Sequence, residues 1–510
     1  MTLVRMSITT AMVIGALVPM RAQAPAPEVR RLTVDEAVRL ALVNNLGVQV
    51  ARIDPQIQDL GVAQAQAAWS PTWTSTLQGA SVDSPSNSFL SGAQGTRTSD
   101  GRVTTTVGLD QALRWGGRYT VGWDGARSTT TNLFSNFSPQ VRSSLSLSYR
   151  QPLLRGFSID TPRQQLLLAG TDREIADVTL AQTLAATARA VRYAYWDLAF
   201  SRDSLDVHRQ SLELARESLR NTRARIEIGT TPPVDEVEAE AEVALREEAV
   251  ILAEAQIATT EDILRALVFD PAEPTFWTLR IEASTLPPFA PAAVDIDLAS
   301  RNALERRSDL RQLRARLEAA DVSLRFSRNQ TLPDVTASVD YGLTGLGGTQ
   351  FVRGSGFPGP IIGQTERGFG RVLGDLLSHD FPSWTASVSV SYPLGATSQE
   401  AVLARARLQY AQQQTQLRSA ALQVTSQVRE AGRQVQTNQR RVETTAVSRQ
   451  LAERRLEAEQ RKLAAGTSTS FVVFQVQRDL AQARNNELRA ILDFHRSIVD
   501  FDTVQDAPLR

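Results

Sequence analysis

Cysteine is absent from the 510-residue chain. That excludes disulfides, thiolate catalysis, cysteine-ligated metals and an N-terminal lipid-modified cysteine. Histidine is scarce as well. His208, His379 and His495 stand far apart, and none has ligand spacing with another. An exposed place on a helix or loop is the simplest reading of each. Net charge is also missing: 55 Lys and Arg offset 55 Asp and Glu, so nothing electrostatic points to nucleic acid. The glycine-rich stretch Gly342 to Gly374 lacks the Lys-Ser/Thr of a phosphate-binding loop. Acidic pairs such as Asp235-Glu236 and Glu247-Glu248 lie on Arg-rich helical patterns and read as solvated faces. No catalytic constellation, cofactor site or metal site is readable, and the chain is expected not to be an enzyme.

Long apolar runs are lacking too. Beyond the N-terminus no stretch of about 18 unbroken apolar residues occurs, so entry into a membrane would have to use strands. The N-terminus itself reads as an export signal over residues 1–24. Arg5 supplies charge, Ile8 to Val18 the short apolar core, and Ala22-Gln23-Ala24 a cleavage-like site. Pro25 follows directly and hinders cleavage there, which leaves the cut position open.

What is present is a chain written twice. Placing Ala41-Leu42 on Ala303-Leu304 brings Pro71 onto Pro333 without a gap. Further on, the Ser148–Pro152 segment corresponds to Ser391-Tyr392-Pro393, and Gly229-Thr230 to Gly466-Thr467. Each half reads helix, strand, loop, strand, long helix, turn, helix. The expected divisions are a first repeat over 30–285, a linker over 286–296 that opens with the Pro-rich Leu286 to Ala292, a second repeat over 297–504, and a tail over 505–510.

Four segments alternate with period two, so each places an apolar set on one face and small polar residues on the other. They are Thr72 to Gly79, Ser144 to Arg150, Asp334 to Leu343 and Trp384 to Tyr392. Each is about ten residues, the length of a tilted transmembrane strand. Trp73, Tyr149, Tyr341, Trp384 and Tyr392 lie near strand ends, where aromatic girdles sit. Four strands cannot close a barrel, and open edges are forbidden in lipid. Several copies would therefore share one barrel. Between the first two strands, Asp83 to Pro139 holds two further alternating pieces, Val103 to Leu109 and Tyr119 to Trp123. They read equally as an extracellular hairpin or as two more barrel strands. Gly342 to Gly374 reads as an extracellular loop.

Phe157 to Gly229 lacks proline after Pro162 and is dense in Ala, Leu, Arg and Glu. Val191, Leu198, Leu205, Leu212, Leu219 and Ile226 recur every seven residues, as do Val428, Val435 and Val442. A strict heptad makes helices supercoil against neighbours. A helix of about 70 residues would be about 105 Å long. Both long helices end at glycine followed by small polar residues, Gly229-Thr230-Thr231 and Gly466-Thr467-Ser468. Glycine stops a helix, and Thr or Ser can cap the returning one. Asp235 falls in the first turn after the first stop, where a carboxylate is favoured.

These residues resemble the TolC-like outer-membrane efflux family over about Leu32 to Val504. The resemblance rests on Leu32-Thr33-Val34-Asp35-Glu36-Ala37 with Asn44-Asn45, and on the helix-to-strand prolines. Gln151-Pro152-Leu153-Leu154-Arg155-Gly156, Tyr193-Ala194-Tyr195-Trp196-Asp197-Leu198 and the paired Gly-Thr turns complete it. It implies a mixed α+β membrane protein and a homotrimer, four strands per chain closing a shared 12-stranded barrel above a periplasmic α-helical barrel. It implies an exit duct of a tripartite efflux or type I secretion system, docked to a periplasmic adaptor and through it to an inner-membrane pump. The hairpin tips, with Gly229, Thr230, Asp235, Gly466, Thr467 and Ser468, would be the docking and gating region. Two departures stand out. Leu463 and Ser468 occupy the positions where gated relatives carry a Tyr and an Arg, and Val472 stands where Asp would ring the lumen. The rival readings are a periplasmic adaptor or coiled-coil scaffold without a channel, which needs a soluble β-domain, and an autonomous porin, which needs at least eight strands in one chain.

Overall fold

The computed structural model describes residues 29–86, 88, 91–93, 95–283, 287–395 and 397–506. The export signal read over 1–24 lies outside them, as do residues 507–510 of the tail. The first half runs β1 (Val29–Leu32), α1 (Val34–Asn44), α2 (Leu46–Gln66), β2 (Thr72–Pro85), β3 (Arg97–Ala112), β4 (Arg118–Thr130), β5 (Phe137–Pro152), α3 (Thr161–Glu227), α4 (Val234–Val268) and β6 (Arg280–Ala283). The second runs α5 (Ile296–Arg306), α6 (Ser308–Gln330), β7 (Asp334–Arg353), β8 (Ile361–Arg367), α7 (Phe369–Leu377), β9 (Pro382–Ser391), α8 (Ser398–Ala464) and α9 (Ser470–Val504).

The halves match in detail. The helices α3 and α8 each have 67 residues, and α4 and α9 each have 35. Thr33 and Asp295 cap α1 and α5 with side-chain oxygens, and each of these helices ends at a non-helical residue, Asn45 or Arg307. The alignment that superposes Ala41 on Ala303 also superposes both caps and both breaks. Ala41 and Ala303 are themselves fully buried.

The chain divides into two compact units, and each draws on both halves. One holds the described residues up to 45, with 190–290 and 441–493; the other holds 46–189, 291–440 and the residues from 494. In the first unit β1 pairs in parallel with β6, a ladder of four residues that no sequence pattern announced. Tyr195 is almost fully buried there, and its hydroxyl donates to the Leu32 carbonyl at 2.8 Å. The amides of Asn44 and Asn45 donate to the Val268 and Leu267 carbonyls, each at 3.2 Å, and so fasten α1 to the end of α4. In the second unit Ala299, Ala303, Leu310, Val424 and Val428 form a buried apolar cluster among α5, α6 and α8.

The second unit also carries a seven-stranded antiparallel sheet in the order β2-β3-β4-β5-β7-β8, with β9 beside β8 on the free edge of β7. Seven strands stand where four were expected. The four are β2, β5, β7 and β9. The alternating pieces around Val103 and Trp123 extend into β3 and β4, which pair with β2 and β5 along nearly their whole length. The Gly342 to Gly374 stretch is not a loop either: β7 continues to Arg353, and β8 and α7 follow. Glycine lacks a side chain but keeps both backbone hydrogen-bonding groups, so the ladder continues through it. Here its bareness is used. A Cβ on Gly345 or Gly347 would run into Val372 of α7, which is fully buried against the sheet.

Candidate functional site

The two turns that end the long helices have one geometry. At the first, Gly229 takes φ +76°, the Thr230 amide donates to the Arg225 carbonyl at 2.9 Å, and the Thr230 hydroxyl donates to the same oxygen at 3.0 Å. At the second, Gly466 takes φ +73°, and Thr467 makes the same two bonds to the Lys462 carbonyl at 2.9 and 3.2 Å. This left-handed glycine with a bond reaching back across the last turn satisfies carbonyls the helix leaves free. Open space surrounds both glycines, so the backbone angle, and not crowding, demands them. Gly229, Thr230, Gly466 and Thr467 are all exposed.

The returning helices are capped differently. Pro233 precedes α4 and makes no side-chain cap bond, because Pro232-Pro233 brings no hydroxyl to that position. Before α9, Thr469 accepts the Val472 amide at 3.5 Å. The expectation of a Thr or Ser cap therefore fails at the first turn. Asp235 sits in the first turn of α4, half-buried, with Glu236 beside it. Glu236 and Glu240 hold Arg223 of α3 at 2.8 and 2.6 Å.

Leu463 packs into the core of the second hairpin with Leu456, Val473, Val476 and Leu480. The Ser468 hydroxyl donates to Glu459, nine residues back near the end of α8. That bond and the Lys462 ammonium hold the Glu459 carboxyl below the usual carboxylate range. Val472 is partly exposed. The hairpins meet through Arg225, whose guanidinium donates to the Leu463 carbonyl at 3.5 Å. They also meet at Glu242, which is 2% exposed and held by Arg246 and Arg478, each at 2.7 Å. Sequence reading passed over this buried triad, because Glu242 sits in a run of exposed acids that looks uniform.

Along α3 the heptad residues Val191, Leu198, Leu205 and Leu212 are buried, while Leu219 and Ile226 are half-buried. Val428, Val435 and Val442 of α8 are buried. His208 departs from the expectation of an exposed histidine. Its Nδ1 is buried without a partner, and burial, then Arg246, lowers its pKa.

The sheet carries the aromatic residues. One rung reads Trp73, Leu109, Val121, Leu147, Tyr341 and Trp384 across six strands. Alternation then puts Leu77, Val103, Tyr119, Trp123, Tyr149, Val339 and Val388 on the same face. Trp73, Leu77, Trp384 and Val388 are between 65% and 76% exposed. The opposite face is built of Thr, Ser, Gln, Arg and Asp, and a concavity lined by Gln78, Arg102, Thr104, Thr106, Asp124 and Arg142 opens on that side. Tyr149 lies one step along from the rung, and its hydroxyl donates to Gln151 at 2.7 Å. Tyr392 is exposed and lies just past the end of β9, outside the ladder. No helix among the described residues is long and apolar enough to cross a membrane.

The family model for outer membrane efflux proteins matches residues 37–268 and 299–500, most of both halves. The chain belongs to that family. As an outer membrane efflux protein it is an exit duct of the cell outer membrane that extends into the periplasm. The fold is also that of solved channels. CmeC of Campylobacter jejuni is 13% identical with TM-score 0.64, over 92% of this chain and 85% of that one. VceC of Vibrio cholerae is 15% identical with TM-score 0.62, over 94% and 97%. The open-state MtrE channel of Neisseria gonorrhoeae is 15% identical with TM-score 0.60, over 94% and 89%. Among curated proteins none matches the sequence.

Proposed function

We propose that this efflux protein works as a homotrimer whose sheets close into one shared barrel, with the helical hairpins forming a tunnel in the periplasm. A periplasmic adaptor docks at the hairpin tips and couples the duct to an inner-membrane pump. Substrates pass through by conduction and not by chemistry.

The observation that carries this reading is the sheet. One face is apolar and bare at Trp73, Leu77, Trp384 and Val388, while α7 packs on it at Gly345 and Gly347; the other is polar and concave, and the outward edges of β2 and β9 have no strand beside them among the described residues. Lipid tolerates neither a single apolar sheet with open edges nor an unpaired backbone. Copies joined edge to edge meet both demands. A periplasmic adaptor or scaffold would need a soluble β-domain, and a bare apolar face of this extent does not supply one.

The exposed turns at Gly229 and Gly466 are the docking surface. A Gly466→Pro chain, or one with bulky residues at both glycines, inserts in the outer membrane as before but no longer supports export. Cell-based efflux compared with the amount in the membrane fraction separates the two effects. Undiminished export by these variants would remove the tips from the docking surface.

A further inference from the structure

We propose that β3 and β4 cross the membrane beside β2, β5, β7 and β9, so that three chains of six strands close a barrel of eighteen. The proposal rests on the shared-barrel reading above and changes its dimensions.

Three independent observations place this hairpin inside the barrel wall. The first is register. β2 pairs with β3 from Thr72↔Asp110 to Pro85↔Arg97, and β4 pairs with β5 from Arg118↔Arg150 to Ser128↔Gln140. A hairpin standing above the membrane could pair with only the outer ends of its neighbours.

The second is face. Val103, Val107 and Leu109 of β3 and Tyr119, Val121 and Trp123 of β4 fall on the apolar face defined by Trp73, Leu147 and Trp384. Thr104, Thr106, Thr120 and Asp124 fall on the polar one. A hairpin bathed in water on both sides has no need of that division.

The third is the turn. Residues 113–117 join β3 to β4 at the end of the sheet where β5 hands over to α3. The Leu113 amide donates to the Gly117 carbonyl at 2.7 Å, and the Trp115 indole donates to the Tyr149 hydroxyl at 3.2 Å. A Cβ on Gly116 would meet Arg163 and the Gly156 carbonyl, residues of that handover. The chain therefore travels the full height of the sheet four times between Thr72 and Pro152, not twice.

Barrel diameter grows roughly in proportion to strand number, so eighteen strands give about 1.5 times the diameter of twelve. Barrels of 16–18 strands enclose an aqueous channel. The membrane section is then not the selecting constriction. Discrimination between cargoes falls to the helical tips or to the pump behind them. The two added strands bring no helices with them, because their junction is the five-residue turn.

The absence of cysteine makes the test clean. Single cysteines at Val107, Val121, Thr106, Thr120 and, as reference, Leu147 are placed in the full chain, labelled with a small fluorophore and reconstituted in vesicles containing brominated lipid. Labels at Val107 and Val121 are expected to be quenched as strongly as that at Leu147, with quenching lost at Thr106 and Thr120. If Leu147 is quenched while Val107 and Val121 are not, the eighteen-strand barrel is wrong and the duct stands. If Leu147 escapes quenching as well, the shared barrel itself fails and this proposal falls with it.

Discussion

At Glu242 a single carboxylate is pinned between two guanidiniums in a site with almost no solvent. Removing one member of such a group leaves buried charge without a partner, which costs about 3–5 kcal/mol. Arg478 is nearly half exposed, which places Glu242→Ala at the lower end, about 3 kcal/mol. Denaturant unfolding of the helical unit measures it, and a variant as stable as the parent would contradict the assignment. Glu459 offers a pH test. Its pKa is depressed chiefly by the Ser468 hydroxyl, then by Lys462. A carboxyl whose folded pKa lies below its unfolded one contributes stability above the unfolded value and loses it as pH falls through the folded one. In Ser468→Ala the larger cause is gone, so acid loosening of residues 463–472 is expected to begin at higher pH. Hydrogen exchange across the acid range reads this out, and an unshifted midpoint would show that Ser468 does not hold the tip.

The long helices were legible from sequence, because a heptad of apolar residues bounded by glycine stops leaves little else for the chain to do. The strands were legible where alternation was regular. Two kinds of element escaped. The ladder of β1 and β6 has four residues a side, too short to show a period. The segment Gly342 to Gly374 looked like loop because glycine is depleted in strands. Yet Gly345 and Gly347 recur with period two on one face, which is the mark of a strand approached closely by another element. Whether β3 and β4 join the sheet was open in the sequence, since pairing with β2 and β5 is a long-range matter that alternation within a strand does not address. The heptad seam gives the element-scale prediction. Leu205 and Leu212 are buried along α3, and a carboxylate there is costly without a partner. Leu205→Asp and Leu212→Asp are each expected to reduce the yield of assembled protein in size-exclusion profiles of detergent extracts. Full assembly of both would remove the seam from the account.

For the whole molecule, the correspondence of the two halves accounts for the paired helices. Equal helix lengths, superposable caps and two turns of one geometry give a chain whose halves present equivalent hairpins. The sheet departs from that symmetry, since the β3–β4 hairpin stands in the first half and β8 with α7 in the second. The β3–β4 hairpin extends the common apolar face, whereas α7 packs on part of it at Gly345 and Gly347, and neither insertion covers the edges at β2 and β9. Those edges are what the proposed closure of several copies into one barrel would pair. The mass of the detergent-extracted protein from outer-membrane fractions, taken by native mass spectrometry, tests this most directly. Three chains are expected in that fraction; a water-soluble monomer or dimer would contradict the shared barrel.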